Sequence, residues 1–223
     1  MGICDSQDKN LKMGICDSQD KNLKMGNTNS NSHEVPNYIN ENKIQEHGNP
    51  TTLTKIPPNM FDKRGNKEPN NYTIQGLRGG RIYKGPIGWT GFGFSVLNKY
   101  DNGDNTWLGM TGNTPGEWCV AYHTIHIEYV KSIIFNGFKE GINQTYANND
   151  DINHPGQKVG RGVYVTPDIK IAEVFTRSNG IKCVLMCRVN PLNLRIPKSN
   201  VDFWVVSGNS SDIRPYRLLI KYE

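Results

Sequence analysis

The sequence predicts an α+β domain preceded by a disordered N-terminal arm, and three observations lead to this fold class. The chain has 223 residues, a length that allows one ordinary domain and an appendage. Its large apolar and aromatic side chains concentrate from residue 72 onward, and every tryptophan lies in that part. There, short strand-like runs and a few amphipathic helical segments follow one another without regular βαβ alternation, which is typical of α+β proteins.

Residues 1–71 are predicted to form the flexible arm, because they are rich in Asn, Pro, Lys, Glu and Thr and carry only isolated large side chains. Proline interrupts any helical pattern in this stretch. Basic and acidic residues balance in the arm, so the whole net charge of +5 belongs to residues 72–223, the predicted domain. A charge of this size is compatible with an anionic ligand and provides no strong signal for nucleic-acid binding.

The start of the chain is duplicated: residues 1–12 read MGICDSQDKNLK, and residues 13–24 repeat them letter for letter. Each copy begins with the N-myristoylation pattern M-G-x-x-x-[ST]. Gly2 is therefore a predicted myristoylation site, and Cys4 lies where a palmitoyl chain can be added. The two lipids together would make a stable membrane anchor. The other interpretation of the repeat is a recent duplication or a misassigned start.

The cysteines indicate a reducing compartment. Cys183 and Cys187 flank the apolar residues VLM on a predicted strand, where both side chains face one side and are expected to pack in the core. The chain has no CxxC or HExxH pair, so no zinc site is expected. This usage fits the cytoplasm, and the predicted acylation would place the protein at the cytoplasmic face of a membrane.

The first predicted elements of the domain are a buried strand and an amphipathic helix. The apolar run 118–122 (WCVAY) is typical of a buried strand, whose end presents His123. Apolar residues then recur at helical spacing over 127–134, and Gly137 is expected to end that helix. Residues 141–160 are polar and rich in Asn and Asp, so they are predicted to form a long loop of a kind that is usually functional or disordered.

A second group of elements follows the loop. Gly160 and Gly162 lead into a strand that carries Tyr164. The sequence TPD at 166–168 is predicted to supply the N-cap, the first helical residue and a first-turn acid of a helix over 168–176. Three further strands are predicted, at 182–189 (KCVLMCRV), 203–206 (FWVV) and 216–221 (YRLLIK). The glycines match neither the dinucleotide-binding motif nor the P-loop.

Three side chains at predicted strand ends are candidates for ligand chemistry: His123, Tyr164 and Asp202. A histidine, an aromatic ring with a hydroxyl and a carboxylate, delivered from three strands, can hold a ribose, stack on a planar heterocycle and stabilise a cationic sugar centre. The competing interpretation of each residue alone is structural: a hydrogen-bonded core histidine, a packed tyrosine and a turn aspartate.

The order and surroundings of these residues resemble the catalytic domain of the poly(ADP-ribose) polymerase-like ADP-ribosyltransferases, in a less characterised eukaryotic subgroup. The similarity covers about residues 85–221, most of the predicted domain. It runs in order through AYHT (121–124), IIFNGF (133–138), GRGVY (160–164), the helix with Ala172, the strand at 184–189 and the terminal segment 202–221. The upstream sequences GW (88–89), WLG (107–109) and GEW (116–118), with IRPY (213–216), complete the resemblance.

The resemblance implies a split β-sheet with short flanking helices, and NAD as the substrate. It implies that His123 hydrogen-bonds ribose hydroxyls and that Tyr164 stacks on the nicotinamide. Thr124 and Gly162 would also be cofactor-binding residues, with the Thr124 backbone holding the carboxamide. Asp202 would bind the 2′-hydroxyl of the nicotinamide ribose and favour oxocarbenium-like charge as nicotinamide leaves.

The chain departs from the family pattern at two positions. Thr124 stands where the family usually has glycine, so its Cβ is expected to crowd the carboxamide. The family's glutamate falls at Asp202, one methylene shorter, and Asp212 is a second candidate for the acid. The short acid favours mono-ADP-ribosylation of a protein, which the sequence does not identify, over polymer synthesis. The alternative is a catalytically inactive, membrane-tethered module that binds NAD or ADP-ribose.

Two further segments have predicted roles. The resemblance implies that the long loop, at 142–159, lies over the cofactor. The sequence RGGR at 78–81 is predicted to be a flexible basic linker, because RNA-binding RGG segments normally repeat and this one does not.

Overall fold

The computed structural model describes residues 56–109, 114–141, 144–176 and 180–223. These residues form a mixed α+β fold of mostly antiparallel strands and short helices, as the sequence predicts. The strands are β1 (Gln75–Arg78), β2 (Arg81–Lys84), β3 (Thr90–Gly93), β4 (Cys119–Thr124), β5 (Val163–Val165), β6 (Ile181–Val189), β7 (Trp204–Val206) and β8 (Ile213–Tyr222). The α-helices are α1 (Val130–Asn136) and α2 (Ile169–Val174), and 3₁₀ turns lie at Pro58–Met60, Lys63–Gly65, Asp101–Gly103, Thr106–Leu108 and Ile127–Tyr129.

The described strands form a four-stranded sheet and two separate strand pairs. The order in the larger sheet is β3-β8-β6-β4, and all neighbours are antiparallel. β5 pairs with β7, and β1 pairs with β2. β6 has a neighbour on each edge and is buried on both faces over most of its length, which explains why its sequence is an almost continuous apolar run.

The side chains of β6 contribute to two parts of the hydrophobic core. Cys183 and Cys187 lie on the face that packs with the apolar side of α1, so the prediction that they share one buried face is confirmed. Val184 and Met186 point to the opposite face, where they pack with Trp89. Each fully buried side chain of valine or leucine size contributes about 1.5–3 kcal/mol to folding.

The folded part begins before the predicted boundary at residue 72. Ile56 is buried in the core, and the rings of Phe61 and Phe94 lie with their centroids 5.7 Å apart. Lys67 exchanges two backbone hydrogen bonds with Gly91 of β3, at 2.9 and 2.8 Å. Residues 56–71 therefore belong to the domain and not to the arm. Their few apolar side chains cover β3, although their average composition is polar.

The segment 78–81 is a tight turn between two strands, so the prediction of a flexible linker is wrong. β1 and β2 pair in a register that brings Arg78 opposite Arg81. Gly79 and Gly80 have φ angles of +57° and +78°, the left-handed conformation that a two-residue hairpin turn of this class requires at both central positions. Two adjacent glycines between short strands are the sequence signal for this turn.

Both predicted helices form, with one difference at a helix start. α1 ends before Gly137, which has a φ angle of +80° and donates its N–H to the Ile133 carbonyl, as expected for a helix C-terminus. The cap of α2 lies two residues later than predicted. Asp168, and not Thr166, is the N-cap, because its carboxylate accepts a hydrogen bond of 2.9 Å from the N–H of Lys170.

The predicted lipidation residues, Gly2 and Cys4, lie outside the described part of the chain. Within the described ranges, no helix combines the length and the apolar composition that crossing a bilayer requires.

Candidate functional site

The candidate site lies where β4 and β5 separate. Tyr122 of β4 exchanges two backbone hydrogen bonds with Thr166, the residue after β5, at 2.8 and 3.0 Å. Two residues further on, the same antiparallel register would bring Thr124 opposite Tyr164. The strands part there instead of pairing, and β5 pairs with β7 on its other edge. We call this separation the split, and it brings the predicted residues His123, Thr124 and Tyr164 to its two sides.

His123 bridges the split. Its imidazole Nδ1 lies 2.9 Å from the main-chain carbonyl oxygen of Tyr164. Because a carbonyl oxygen only accepts hydrogen bonds, Nδ1 carries the proton, and the neutral ring keeps an acceptor lone pair at Nε2. Burial lowers the pKa of His123 and outweighs the opposing effect of this hydrogen bond, so the ring is neutral at pH 7. The imidazole also packs edge-on against Phe138, with centroids 5.2 Å apart.

The backbone groups of Thr124 face the split, and its side chain points away from it. Its hydroxyl donates a hydrogen bond of 2.7 Å to the carbonyl of Ala172 in α2, on the face of β4 opposite to His123. The expected crowding by the Thr124 Cβ is therefore directed away from the histidine. Backbone groups alternate along a strand, so the N–H and C=O of Thr124 point to the same edge as those of Tyr122. Among the described residues, neither group has a backbone partner at that edge.

Tyr164 is covered by the long loop. Its ring stacks on that of Tyr146, at an angle of 26° and a centroid distance of 6.1 Å, and Phe203 stacks on Tyr146 in turn. The Tyr164 hydroxyl accepts a hydrogen bond of 3.1 Å from the backbone N–H of Tyr146. Burial is the main reason why the pKa of Tyr164 is raised. The aromatic surface that the resemblance assigns to nicotinamide is thus occupied by a side chain of the protein.

The packing of β5 against β7 explains why position 162 is a glycine, without any role for a ligand. A Cβ at this position would overlap the carbonyl oxygen of Val206 and would lie 2.7 Å from Cγ1 of Val205, both in β7. The side-chain amide of Gln144 also pairs with the Gly162 backbone: its Oε1 accepts from the N–H at 2.8 Å, and its Nε2 donates to the carbonyl. Glycine therefore allows β5 to approach β7 and fixes the loop beside Tyr164.

The two candidate acids lie at different places, and neither contacts the histidine. Asp202 is exposed in the turn before β7; within the described ranges its carboxylate has no hydrogen-bond or ion-pair partner, and its charge acts on Lys84. Asp212 is buried and accepts a hydrogen bond from the amide of Asn193. Asp212 directly precedes Ile213, which pairs with Val189 of β6, whereas His123 pairs with Leu185 of the same strand. Val189 lies roughly 13 Å along β6 from Leu185. Asp212 is therefore a structural residue and not the acid of this site.

Sequence reasoning missed the residues that cover the site. Gln144 and Tyr146 belong to a polar loop in which no helical or strand period selects particular positions. The only signal was the presence of a large aromatic residue in an otherwise Asn-rich stretch. Phe203 was predicted as a strand residue, but its stacking on the loop requires knowledge of the β5–β7 register.

No protein-family model matches the chain. No curated protein matches it either. The site's own groups determine the chemistry that it can support. These are an acceptor nitrogen on His123, a donor and an acceptor on the Thr124 backbone, and the ring of Tyr164. Together they can accept a hydrogen bond from a hydroxyl group, form hydrogen bonds with a primary amide and stack on a planar ring.

Proposed function

We propose that the chain is an NAD-dependent ADP-ribosyltransferase that transfers a single ADP-ribosyl group to a protein. The observation that carries this proposal is the hydrogen bond between His123 Nδ1 and the Tyr164 carbonyl, which joins residues 41 positions apart at the split. These are the two residues that the resemblance pairs at the nicotinamide riboside. The β4–β5 register does not require the strands to separate at this point. A ligand that forms hydrogen bonds with the free N–H and C=O of Thr124 would explain the separation.

Each group has a role that follows from its chemistry. A ribose hydroxyl donates to Nε2 of neutral His123, and the nicotinamide carboxamide pairs with the N–H and C=O of Thr124. In the reaction, the bond between ribose C1′ and the nicotinamide nitrogen breaks, and nicotinamide leaves with the electron pair. A nucleophile of the target protein then bonds to C1′ and loses its proton. The resemblance assigns to Asp202 the stabilisation of the transient positive charge on the ribose, although its carboxylate makes no contact with His123 in the closed state.

The proposal requires the site to open. Tyr164 is only 4% exposed, and Tyr146 covers its ring. Nicotinamide can stack on Tyr164 only after Tyr146 leaves this position. The loop that carries Tyr146 is held by hydrogen bonds between Gln144 and Gly162, and the Tyr146 hydroxyl accepts a hydrogen bond of 3.0 Å from the side-chain amide of Asn200. These contacts must break for the Tyr146 ring to leave. We infer that the loop moves on binding, and that the described state is the closed one.

A second candidate function is favoured by the position of the acid. Asp202 is exposed and makes no contact with His123, as expected for a domain that binds NAD or ADP-ribose without turnover. The membrane tether through Gly2 and Cys4, and with it a location at the cytoplasmic face of a membrane, remains part of both proposals. Metabolic labelling with a myristate analogue tests it: the wild-type chain is expected to be labelled and Gly2→Ala to be unlabelled.

The experiment that separates the two functions is incubation of the full chain with labelled NAD⁺. The enzyme releases nicotinamide and transfers label to protein, and His123→Gln abolishes both. His126→Gln is the matched control, since this half-buried histidine lies outside the split and is expected to keep full activity. Saturable binding without turnover supports the binding module. If the wild-type chain neither binds nor turns over NAD⁺ while its melting temperature shows it to be folded, both proposals are wrong.

A further inference from the structure

A cavity of about 410 Å³ is lined by residues of the segment 62–73, of the stretch 94–109 and of strands β4, β6 and β8. Val120 and Met186 contribute to its wall, and their side chains point away from the face that carries His123 and its neighbour Leu185. The volume falls within the range of small-molecule sites in proteins, about 300–1,000 Å³. This cavity is therefore large enough for a metabolite, and its lining contains none of the residues at the split.

The cavity wall carries an excess of positive charge. Its lining includes five cationic side chains and a single carboxylate, that of Asp62; the cationic residues are Arg64, Lys67, Arg78, Arg188 and Arg217. Arg64 pairs with Asp62 at 2.7 Å. The buried Glu117 behind the wall is shared by Arg188 at 2.6 Å and Arg78 at 3.7 Å. Within the described ranges, Lys67 and Arg217 have no carboxylate partner. An anion in the cavity would balance these charges.

Two buried polar atoms of cavity-lining residues also have no hydrogen-bond partner among the described residues. The side chain of Arg188 is 4% exposed, and its Nε–H has no hydrogen-bond acceptor among the described residues. The hydroxyl of Tyr72, another lining residue, is likewise buried without a partner in this part of the chain. A buried donor without an acceptor costs about 1–3 kcal/mol, and more when the group is charged. Oxygen atoms of a bound anion would satisfy both groups.

The guanidinium groups are held in position before any ligand binds. Arg217 donates from Nε to the carbonyl of Gly65 at 2.8 Å, and its guanidinium lies over the rings of Tyr216 and Tyr72, at 5.3 and 5.8 Å. Arg188 lies over Tyr216 at 5.3 Å. Planar guanidinium groups fixed by stacking are well suited to the tetrahedral oxygens of a phosphate. The tyrosines, with the apolar part of the wall, leave room for an organic group.

We propose that this cavity binds a small organic phosphate of the size of a nucleoside mono- or diphosphate. The phosphoryl group bonds to Arg188 and Arg217, Lys67 adds its charge at the rim, and the organic group lies against the tyrosines. The site is independent of the split, because no lining residue of the cavity belongs to the set at His123, Thr124 and Tyr164.

The test is calorimetric titration of the full chain with ADP, with adenosine and inorganic pyrophosphate as the two partial ligands. ADP is expected to bind with 1:1 saturation at the cavity, adenosine at least tenfold more weakly because it lacks the phosphates, and pyrophosphate more weakly because it lacks the organic group. Arg217→Gln is expected to weaken ADP binding by ten- to a hundredfold. Arg217→Lys, which keeps the charge, is expected to lose less.

Two lysines provide a matched pair at the surface. Lys67→Gln is expected to weaken ADP binding several-fold. Lys170 is also exposed but lies outside the cavity, so Lys170→Gln is expected to leave ADP binding unchanged. His123→Gln must also leave ADP binding at the cavity unchanged, which separates this proposal from the proposed NAD site. Equal affinity for adenosine and ADP, loss of ADP binding in His123→Gln alone, or no ADP binding by the folded chain would each overturn the proposal. If pyrophosphate binds as tightly as ADP, the proposal that the cavity also binds the organic group is wrong.

Discussion

Gly162→Ala separates a structural role of this glycine from a role in ligand binding. The resemblance made Gly162 a cofactor-binding residue, whereas the geometry shows that β7 leaves no space for a Cβ. The added carbon would overlap the Val206 carbonyl and come within 2.7 Å of Val205 Cγ1, where ordinary contact begins at 3.4 Å. The β5–β7 pair must therefore open by more than half an ångström along strands of only three residues.

Overpacking of this kind costs about 1–3 kcal/mol. For a domain of this size, a loss of about 2 kcal/mol lowers the melting temperature by about 4–8 °C. Gly76→Ala is the matched control, because Gly76 also lies in a strand and a Cβ there would meet only the edge of the Tyr83 ring at 3.2 Å. That variant is expected to melt within about 2 °C of wild type, since Gly→Ala also stabilises by restricting the unfolded chain.

Thermal unfolding followed by circular dichroism measures both variants. A Gly162→Ala variant that melts like the wild-type chain would show that β7 has space for the added carbon. If that stable variant also fails to bind NAD⁺, the glycine is kept for close approach of the cofactor and not for strand packing.

Three further predictions concern the loop, the histidine and a buried ion pair. Tyr146→Ala is expected to lower the KM for NAD⁺ several-fold in a turnover assay, because it uncovers Tyr164. Tyr146→Phe keeps the ring but loses the hydrogen bond from Asn200, so it is expected to lower KM less; a higher KM in Tyr146→Ala would contradict the closed state. Burial depresses the folded-state pKa of His123 below its ordinary 6.5, so the unfolded chain takes up the proton first and the stability of the fold decreases as pH drops below 6.5. The melting temperature is expected to fall less between pH 7 and 5 in His123→Gln than in wild type, and an equal fall in both would contradict this. Glu117→Gln is expected to destabilise the fold by about 3 kcal/mol in urea unfolding, because it leaves the buried guanidinium of Arg188 without its carboxylate. Asp150→Asn breaks an exposed ion pair and is expected to have no measurable effect; equal losses of stability in the two variants would show that burial does not decide the outcome.

The sequence was informative where the local pattern and the final environment agree. The run over β6 is buried on both faces, so its apolar composition identified it directly. α1 has an apolar stripe and a terminal glycine, and both signals were confirmed. β3 was missed because its sequence TGFG contains two glycines and one aromatic residue, and its burial comes from residues 56–71, which pair with it from outside the predicted domain.

The candidate site was predictable only as a set of residues. His123 and Tyr164 were named from their positions at strand ends, and the structure brings them together. The partner that covers Tyr164 depends on how the long loop folds back, and a polar loop has no periodicity from which to predict that path. The sequence also did not predict that Asp202 would remain exposed, since neighbouring strand residues alternate between faces and the exact end of β7 decides which face the acid takes.

Binding of NAD⁺ at the split between β4 and β5 can be observed in amide NMR spectra of the ¹⁵N-labelled chain titrated with NAD⁺. Saturable shifts of the Thr124 and Tyr164 amide signals are expected, together with a shift of the Tyr146 amide as the loop opens. Shifts restricted to the basic cavity, or none in a folded chain, would contradict binding at the split.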